Sequence, residues 1–268
     1  MYPPLPRPSG LARFRAAPVL SVVLLLGLCS CQTDGLSDIT GSLGDKSEKA
    51  APAQSLDSCR DRYRANPDNA DAVLAYGKAL RAAGQRSQAV AVLEQATIAH
   101  PGNKALLAGF GRALADNGDF QQAFEVLGRA HSPEDPDWRI LSAQGAVLDQ
   151  LGRGEEARRY YAHALRIMPD EPSVLSNLAL SYVLSKDLAQ AEETLRRANS
   201  RPDADPRVRL NLALVLALRG HMAEAESLAK EGRPPEEAAA NVAYLKRILA
   251  KQASAKPVPG TGSGVRTD

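Results

Sequence analysis

The feature that most constrains this chain is an alanine that recurs every 34 residues. The recurring alanines are Ala89, Ala123, Ala157, Ala191 and Ala225. Twelve positions before them stand the small residues Gly77, Gly111, Gly145, Ala179 and Ala213. Two helices pack closely where one presents a small residue and the other a large apolar one. The period therefore predicts five stacked pairs of antiparallel helices, which need no single central core.

A 34-residue period with small and large positions in this order resembles the tetratricopeptide repeat. The resemblance implies an all-α solenoid of five helix-turn-helix units over residues 70–232. Glycine can take the left-handed conformation that ends many helices. It stands at the expected end of the first helix in four units, at Gly84, Gly118, Gly152 and Gly220. Lys186 takes that place in the fourth unit.

The segments that flank the repeats are also predicted to be helical. Residues 56–67 match the second half of a unit, which places Cys59 at a large apolar position. Two interpretations of Cys59 stay open, a buried thiol and an intermolecular disulfide. Residues 235–251 begin with proline and two acidic residues and are predicted to form a capping helix. Residues 252–268 are small and polar and are predicted to be a disordered tail.

The N-terminal 30 residues have the pattern of a secretory signal peptide. Three arginines precede a mostly apolar run over residues 16–28, which is short for a membrane span. The alternative is an N-terminal membrane-anchor helix. Leu28-Cys29-Ser30-Cys31 resembles a bacterial lipobox, in which a small residue precedes the acylated cysteine. Cys31 fits that position, whereas Cys29 follows the bulky Leu28.

The lipobox resemblance implies a location and an orientation for the mature chain. Acyl chains on Cys31 would anchor the protein in a membrane. Gln32 follows, and by resemblance to lipoprotein sorting signals this favours the periplasmic face of the outer membrane. Residues 31–55 are rich in glycine, serine and charge and are predicted to be a flexible tether.

Charge and composition exclude several classes of function. Residues 1–30 hold three arginines and no acidic residue, so 30 basic residues remain in the mature chain against 31 acidic ones. That balance gives no reason to expect a nucleic-acid partner. The four histidines are about 30 or more residues apart and predict no metal site. Adjacent carboxylates such as Glu192 and Glu193 are predicted to be solvated. We therefore expect no enzyme, metal or cofactor.

The family resemblance implies that the first helices of the units line a concave groove for peptides or partner helices. The N-terminal half of the predicted groove carries charge, at Asp71, Lys78, Arg81, Arg112, Arg139 and Asp149. The C-terminal half carries apolar side chains, at Leu180, Val183, Leu184, Leu210, Leu214 and Leu218. Asn177 and Asn211 occupy equivalent places beside them. Exposed apolar patches usually mark contacts, although the helix at 236–251 could instead cover this half.

Lipobox, tether, repeats and cap together resemble the TadD family of lipoproteins of tight-adherence (Flp) pilus assembly. The resemblance is carried best by residues 210–216 (LNLALVL) and 238–245 (AAANVAYL). It implies a noncatalytic assembly factor whose partner is the secretin or another pilus-assembly protein. Two alternatives stay open, a general envelope adaptor for outer-membrane protein insertion or cell-wall enzyme docking, and a regulator that tethers a hydrolase.

Overall fold

The computed structural model describes residues 55–202 and 204–254, with the backbone alone for 251–254. Twelve helices form this part of the chain. They are α1 (Leu56–Ala65), α2 (Ala70–Ala82), α3 (Arg86–Ala99), α4 (Lys104–Asn117), α5 (Phe120–Gly128), α6 (Trp138–Gln150), α7 (Gly154–Ile167), α8 (Pro172–Leu184), α9 (Leu188–Asn199), α10 (Pro206–Leu218), α11 (Met222–Lys230) and α12 (Pro235–Ser254). No strand occurs among the described residues, and the predicted all-α fold is confirmed.

A polar side chain starts the first helix of every unit. These N-caps recur every 34 residues, and each accepts a hydrogen bond from a backbone N–H in the first turn. They are Asn69, Asn103, Asp137, Glu171 and Asp205. A capping oxygen satisfies one of the N–H groups that the first turn leaves unpaired. The capping residues therefore recur with the same 34-residue period as the core alanines.

Close approach of the two helices within a unit explains the small residues. A Cβ added at Gly145 would lie 2.6 Å from Cε1 of Tyr161, and one at Gly111 would lie 2.6 Å from Cγ of Leu127. Ala157 and the other recurring alanines are 0% exposed. Because the apolar contacts lie within and between neighbouring units, the core runs along the stack in three adjoining clusters.

The turns within the units are left-handed, as the glycines predict. Gly84, Gly118, Gly152 and Gly220 have φ between 72° and 95°. Lys186 keeps the same turn in the fourth unit with φ 63°, a conformation that costs a residue with a Cβ about 1–2 kcal/mol. The fourth turn therefore has the same geometry as the others at a higher conformational cost.

The flanking helices differ in detail from the sequence-based expectation. α12 extends to Ser254, so the predicted tail over 252–268 starts too early, and residues 252–254 are helical. Cys59 on α1 is buried at 2% exposure, which favours the buried-thiol interpretation. The predicted signal peptide, Cys31, all but the last residue of the tether and the remainder of the tail lie outside the described residues.

Candidate functional site: the inner face of the repeats

The first helices of the units line one face of the stack. Each of α2, α4, α6, α8 and α10 contacts the next first helix along the chain. Within the described helices, the second helices contact only the first helices before and after them, and never one another. The first helices are therefore closer together than the second helices. We call their common surface the inner face and the surface of the second helices the outer face.

The charged half of the inner face contains a partly buried ion pair. Arg81 Nε donates to Asp116 Oδ2 at 2.6 Å and ties α2 to α4. The two side chains are only 11% and 16% exposed. Arg81 is therefore partly buried in a contact between helices, whereas the sequence predicts it in the open lining of the groove. Lys78 is exposed and Arg112 is half-buried.

Asp149 is the second charged residue whose surroundings differ from the prediction. Its carboxylate turns inward and accepts hydrogen bonds from the Tyr161 hydroxyl at 2.9 Å and from Ser181 Oγ at 2.7 Å. Burial raises the pKa of the Asp149 carboxyl above its ordinary value, although these hydrogen bonds and the charge of Arg158 oppose the shift. Tyr161 and Ser181 are each 1% exposed. Asp149 therefore holds α6, α7 and α8 together.

Two asparagines form a repeated polar contact on the C-terminal half of the inner face. Asn177 Nδ2 donates to Ser142 Oγ at 3.1 Å, and Asn211 Nδ2 donates to Ser176 Oγ at 2.9 Å. Each bond joins one first helix to the next. A carboxamide has a second N–H and a carbonyl oxygen. Both asparagines are partly exposed, so they can present these groups to a bound peptide.

Sequence reasoning identified the asparagines but missed their serine partners. The ion pair and both Asn–Ser contacts join residues 35 positions apart, one more than the period. On this face, residues that contact each other on neighbouring first helices are therefore 35 positions apart and not 34. A search for complementary polar residues at that offset would have found Asp116, Ser142 and Ser176.

The apolar half of the predicted groove is only partly exposed, which corrects the sequence analysis. Leu180 is 7% and Leu214 is 2% exposed, whereas Leu184 is 40% exposed. Val183, Leu210 and Leu218 are half-buried. α10 carries apolar side chains almost all round, so periodicity does not separate its inner face from its core. The helices α8 and α12 both contact α10 as well, and these contacts bury more of its surface.

The capping helix packs beside α10 but does not lie across α8. Among the described helices, α12 contacts only α10 and α11, as each earlier first helix contacts the unit before it. Asn241 Nδ2 donates to the carbonyl of Ala229 at 3.2 Å and holds α12 on α11. α12 therefore continues the stack as a sixth first helix and does not cover α8.

The described residues contain no arrangement with a clear catalytic role. His131 Nε2 lies 3.0 Å from Gln144 Oε1, and no group of three metal-ligating side chains exists in this part of the chain. Glu192 is not solvated as predicted, because it is 8% exposed and pairs with Arg196 and Arg219. Burial would raise the pKa of Glu192, but these two arginines lower it overall. No described helix is both long and apolar enough to span a bilayer.

Comparison with known proteins identifies the repeat family and the residues that match it. Three models described as tetratricopeptide repeat match residues 51–110 and 150–209, residues 110–172, and residues 206–231. No curated protein matches the chain. Among solved structures, the thermophilic protein TTC0263 of Thermus thermophilus is 22% identical and has a TM-score of 0.58, with 66% of this chain and 97% of that one covered. The pilF protein of Pseudomonas aeruginosa is 18% identical with a TM-score of 0.52, covering 72% and 87%. These identities support likeness of fold alone.

Proposed function

Since the chain belongs to the tetratricopeptide-repeat family, whose fold is that of a protein–protein interaction scaffold, we propose that it captures a partner on its inner face at the outer membrane. The observation that carries this proposal is the pair Asn177 and Asn211. Both stand at the same place in consecutive units, and each is held by a serine of the preceding first helix. Two oriented carboxamides in register suit the backbone of an extended peptide, whatever its sequence.

The surroundings of the asparagines complete this candidate binding surface. Val183, Leu184 and Leu210 are at least partly exposed beside them and offer apolar contact to alternate side chains of a peptide. Lys78 and Arg112 lie on the charged half, where they would affect the association rate and its salt dependence. Leu180, Leu214 and Leu218 are buried or half-buried. We therefore assign them to the packing beneath this surface and not to contact with a peptide.

The membrane location is the second part of the proposal and is supported by the sequence alone. Cys31 follows the apolar run and Ser30 as a lipobox cysteine does, and Gln32 favours outer-membrane sorting. The protein would then face the periplasm, with the repeats joined to the lipid by residues 32–55. The client we propose is the secretin of a Flp/Tad pilus, on the resemblance of residues 210–216 and 238–245 to the TadD family. A general envelope adaptor with another client is the alternative.

Substitution of both asparagines tests the inner face. Asn177→Ala with Asn211→Ala should weaken capture of the secretin by about 10- to 100-fold, because each lost hydrogen bond contributes about 1 kcal/mol. The measurement is co-purification of the secretin with the variant and titration of the purified pair. Gln95→Ala with Gln122→Ala is the matched control, since it removes two exposed carboxamides from outer-face helices. Unchanged capture by the folded asparagine variant would place the binding surface elsewhere.

Substitution of Cys31 tests the anchor independently of the partner. Cys31→Ser should abolish acylation and release the protein from the envelope, because the acyl chains supply the membrane affinity. Cys29→Ser should leave both properties intact. Labelling with a fatty-acid analogue and fractionation of the membranes measure the two effects. A Cys31→Ser protein that still labels and sediments with the outer membrane would refute the lipoprotein assignment.

A further inference from the structure

A cleft of about 410 Å³ opens on the outer face at the N-terminal end of the described chain. Arg60, Tyr63 and Arg64 of α1 face Tyr76 of α2 and Gln85 and Gln88 at the start of α3. α1 takes the place of a second helix, since Cys59 lies 34 residues before Leu93. The cleft is therefore lined mainly by second-helix positions and is distinct from the inner face. We call it the outer cleft.

Among the described residues that line the outer cleft, the charged ones are both arginines, Arg60 and Arg64. Arg60 Nη2 contacts Asp57 at 2.9 Å, and Arg60 Nε lies 3.7 Å from Asp61, both on its own helix. Its Nε–H is nevertheless buried without a hydrogen-bond partner. Arg64 is exposed beside it. Two neighbouring arginine side chains that line one cleft favour a carboxylate, which would accept a charge-assisted hydrogen bond from their exposed N–H groups.

Two aromatic rings line the outer cleft beside the arginines. Tyr63 and Tyr76 stack with ring centroids 5.2 Å apart and an interplanar angle of 20°. Gln88 Nε2 donates to the Tyr76 hydroxyl at 3.2 Å, which orients the buried ring. Aromatic faces and edges prefer further aromatic groups, in offset or edge-to-face arrangements. The outer cleft thus combines guanidinium donors, which suit a carboxylate, with aromatic side chains.

The same place two units further along the chain shows how such a cleft is filled. There Phe124 packs edge-on against Tyr160 with centroids 5.7 Å apart, and the guanidinium of Arg153 lies 5.6 Å above the Phe124 ring. Arg153 also pairs with Glu156 at 2.7 Å. In the outer cleft the equivalent positions hold the smaller Leu56, Val92 and Gln85. An aromatic group, an arginine and a carboxylate together therefore fit this site.

We propose that the outer cleft binds a peptide segment of a partner protein in which an aromatic side chain stands beside aspartate or glutamate. The aromatic side chain occupies the space that Phe124 and Tyr160 fill in the later unit, and the carboxylate pairs with Arg60 and Arg64. A lipid headgroup would satisfy the arginines but would leave the space beside Leu56 and Val92 without an aromatic group. The site acts independently of the asparagines on the inner face.

Selection of random peptides displayed on phage tests this proposal without a prior guess of the partner. The full chain is the target, and a variant with Arg60→Ala and Arg64→Ala removes peptides that bind other surfaces. The surviving peptides should be enriched in phenylalanine, tyrosine or tryptophan next to an acidic residue. No enrichment of that pattern among the survivors would overturn the proposal, whatever the inner face binds.

Affinities of one selected peptide then locate the site. By fluorescence anisotropy, Leu56→Phe should bind at least about tenfold more weakly, equivalent to about 1.4 kcal/mol, because the added ring fills the cleft and leaves its charge unchanged. Arg129→Ala with Arg159→Ala removes the same charge from exposed positions on the outer face and should bind normally. Unchanged affinity of Leu56→Phe would overturn the site. Arginine-dependent binding to phosphatidylglycerol vesicles, without peptide enrichment, would assign the cleft to an anionic membrane surface instead.

Discussion

Leu214→Asp is expected to destabilise the C-terminal units by at least about 4 kcal/mol. Truncation of a buried leucine alone costs about 2–5 kcal/mol, and a carboxylate without a partner adds a desolvation cost. Leu214 is 2% exposed and belongs to the core cluster that includes Leu212 and Leu216. Urea unfolding followed by helical circular dichroism measures the change in the free energy of unfolding.

Leu184→Asp is the matched control for Leu214→Asp. It makes the same chemical change on the neighbouring first helix α8, where Leu184 is 40% exposed. Exposed substitutions usually change the free energy of unfolding by about 0.5 kcal/mol or less. Equal costs for the two variants would contradict the burial of Leu214. The result also matters for the function, because loss of partner capture by a Leu214 variant would report unfolding rather than a lost contact.

Asp149→Ala is expected to cost about 1–3 kcal/mol, because the buried hydroxyls of Tyr161 and Ser181 lose their acceptor. The cost should be much smaller in a background of Tyr161→Phe with Ser181→Ala, where no buried donor is left unpaired. Comparison of the two backgrounds forms a double-mutant cycle. Equal costs in both backgrounds would show that the hydroxyl contacts contribute nothing to stability.

The pH dependence of this substitution has a definite sign. Burial raises the folded-state pKa of Asp149, so ionisation of this carboxyl weakens the folded state relative to its protonated form. Its contribution to stability is therefore greatest below the unfolded-state pKa of about 3.9 and falls as the pH rises through the folded-state pKa. The cost of Asp149→Ala should grow as the pH is lowered from 7 toward 4. A cost that shrinks over this range would contradict the raised pKa.

Most of the fold could be predicted from the sequence, for a local physical reason. Gly145 and Tyr161, like Gly111 and Leu127, belong to one unit and are joined by a short turn. Whether two such helices can pack depends on the sizes of the facing residues, which the 34-residue period displays directly. The N-caps and the left-handed glycines are local for the same reason. The five units and their order followed from these residues alone.

The burial and the hydrogen-bond partners of the inner-face side chains could not be predicted in the same way, because they depend on contacts between units. Arg81 finds Asp116, and Asn177 finds Ser142, across an offset of 35 residues that only the stacking of first helices creates. Asp149 shows the same effect, since Ser181 from the next unit turns a predicted groove carboxylate into a partly buried one. A residue's place in the period identifies its helix face, but not how far the next unit covers that face.

By itself, therefore, the sequence of this protein determined which helices form, where they begin and which residues join them in pairs, since these depend on neighbours within about 34 residues. Only the tertiary structure decided that Leu214 is core while Leu184 is exposed, and that α12 continues the stack and leaves the inner face of α8 uncovered. The physical reason is that solvent exposure is a property of the assembled surface. Leucines on neighbouring first helices are buried or exposed according to the helices that the adjoining units place beside them.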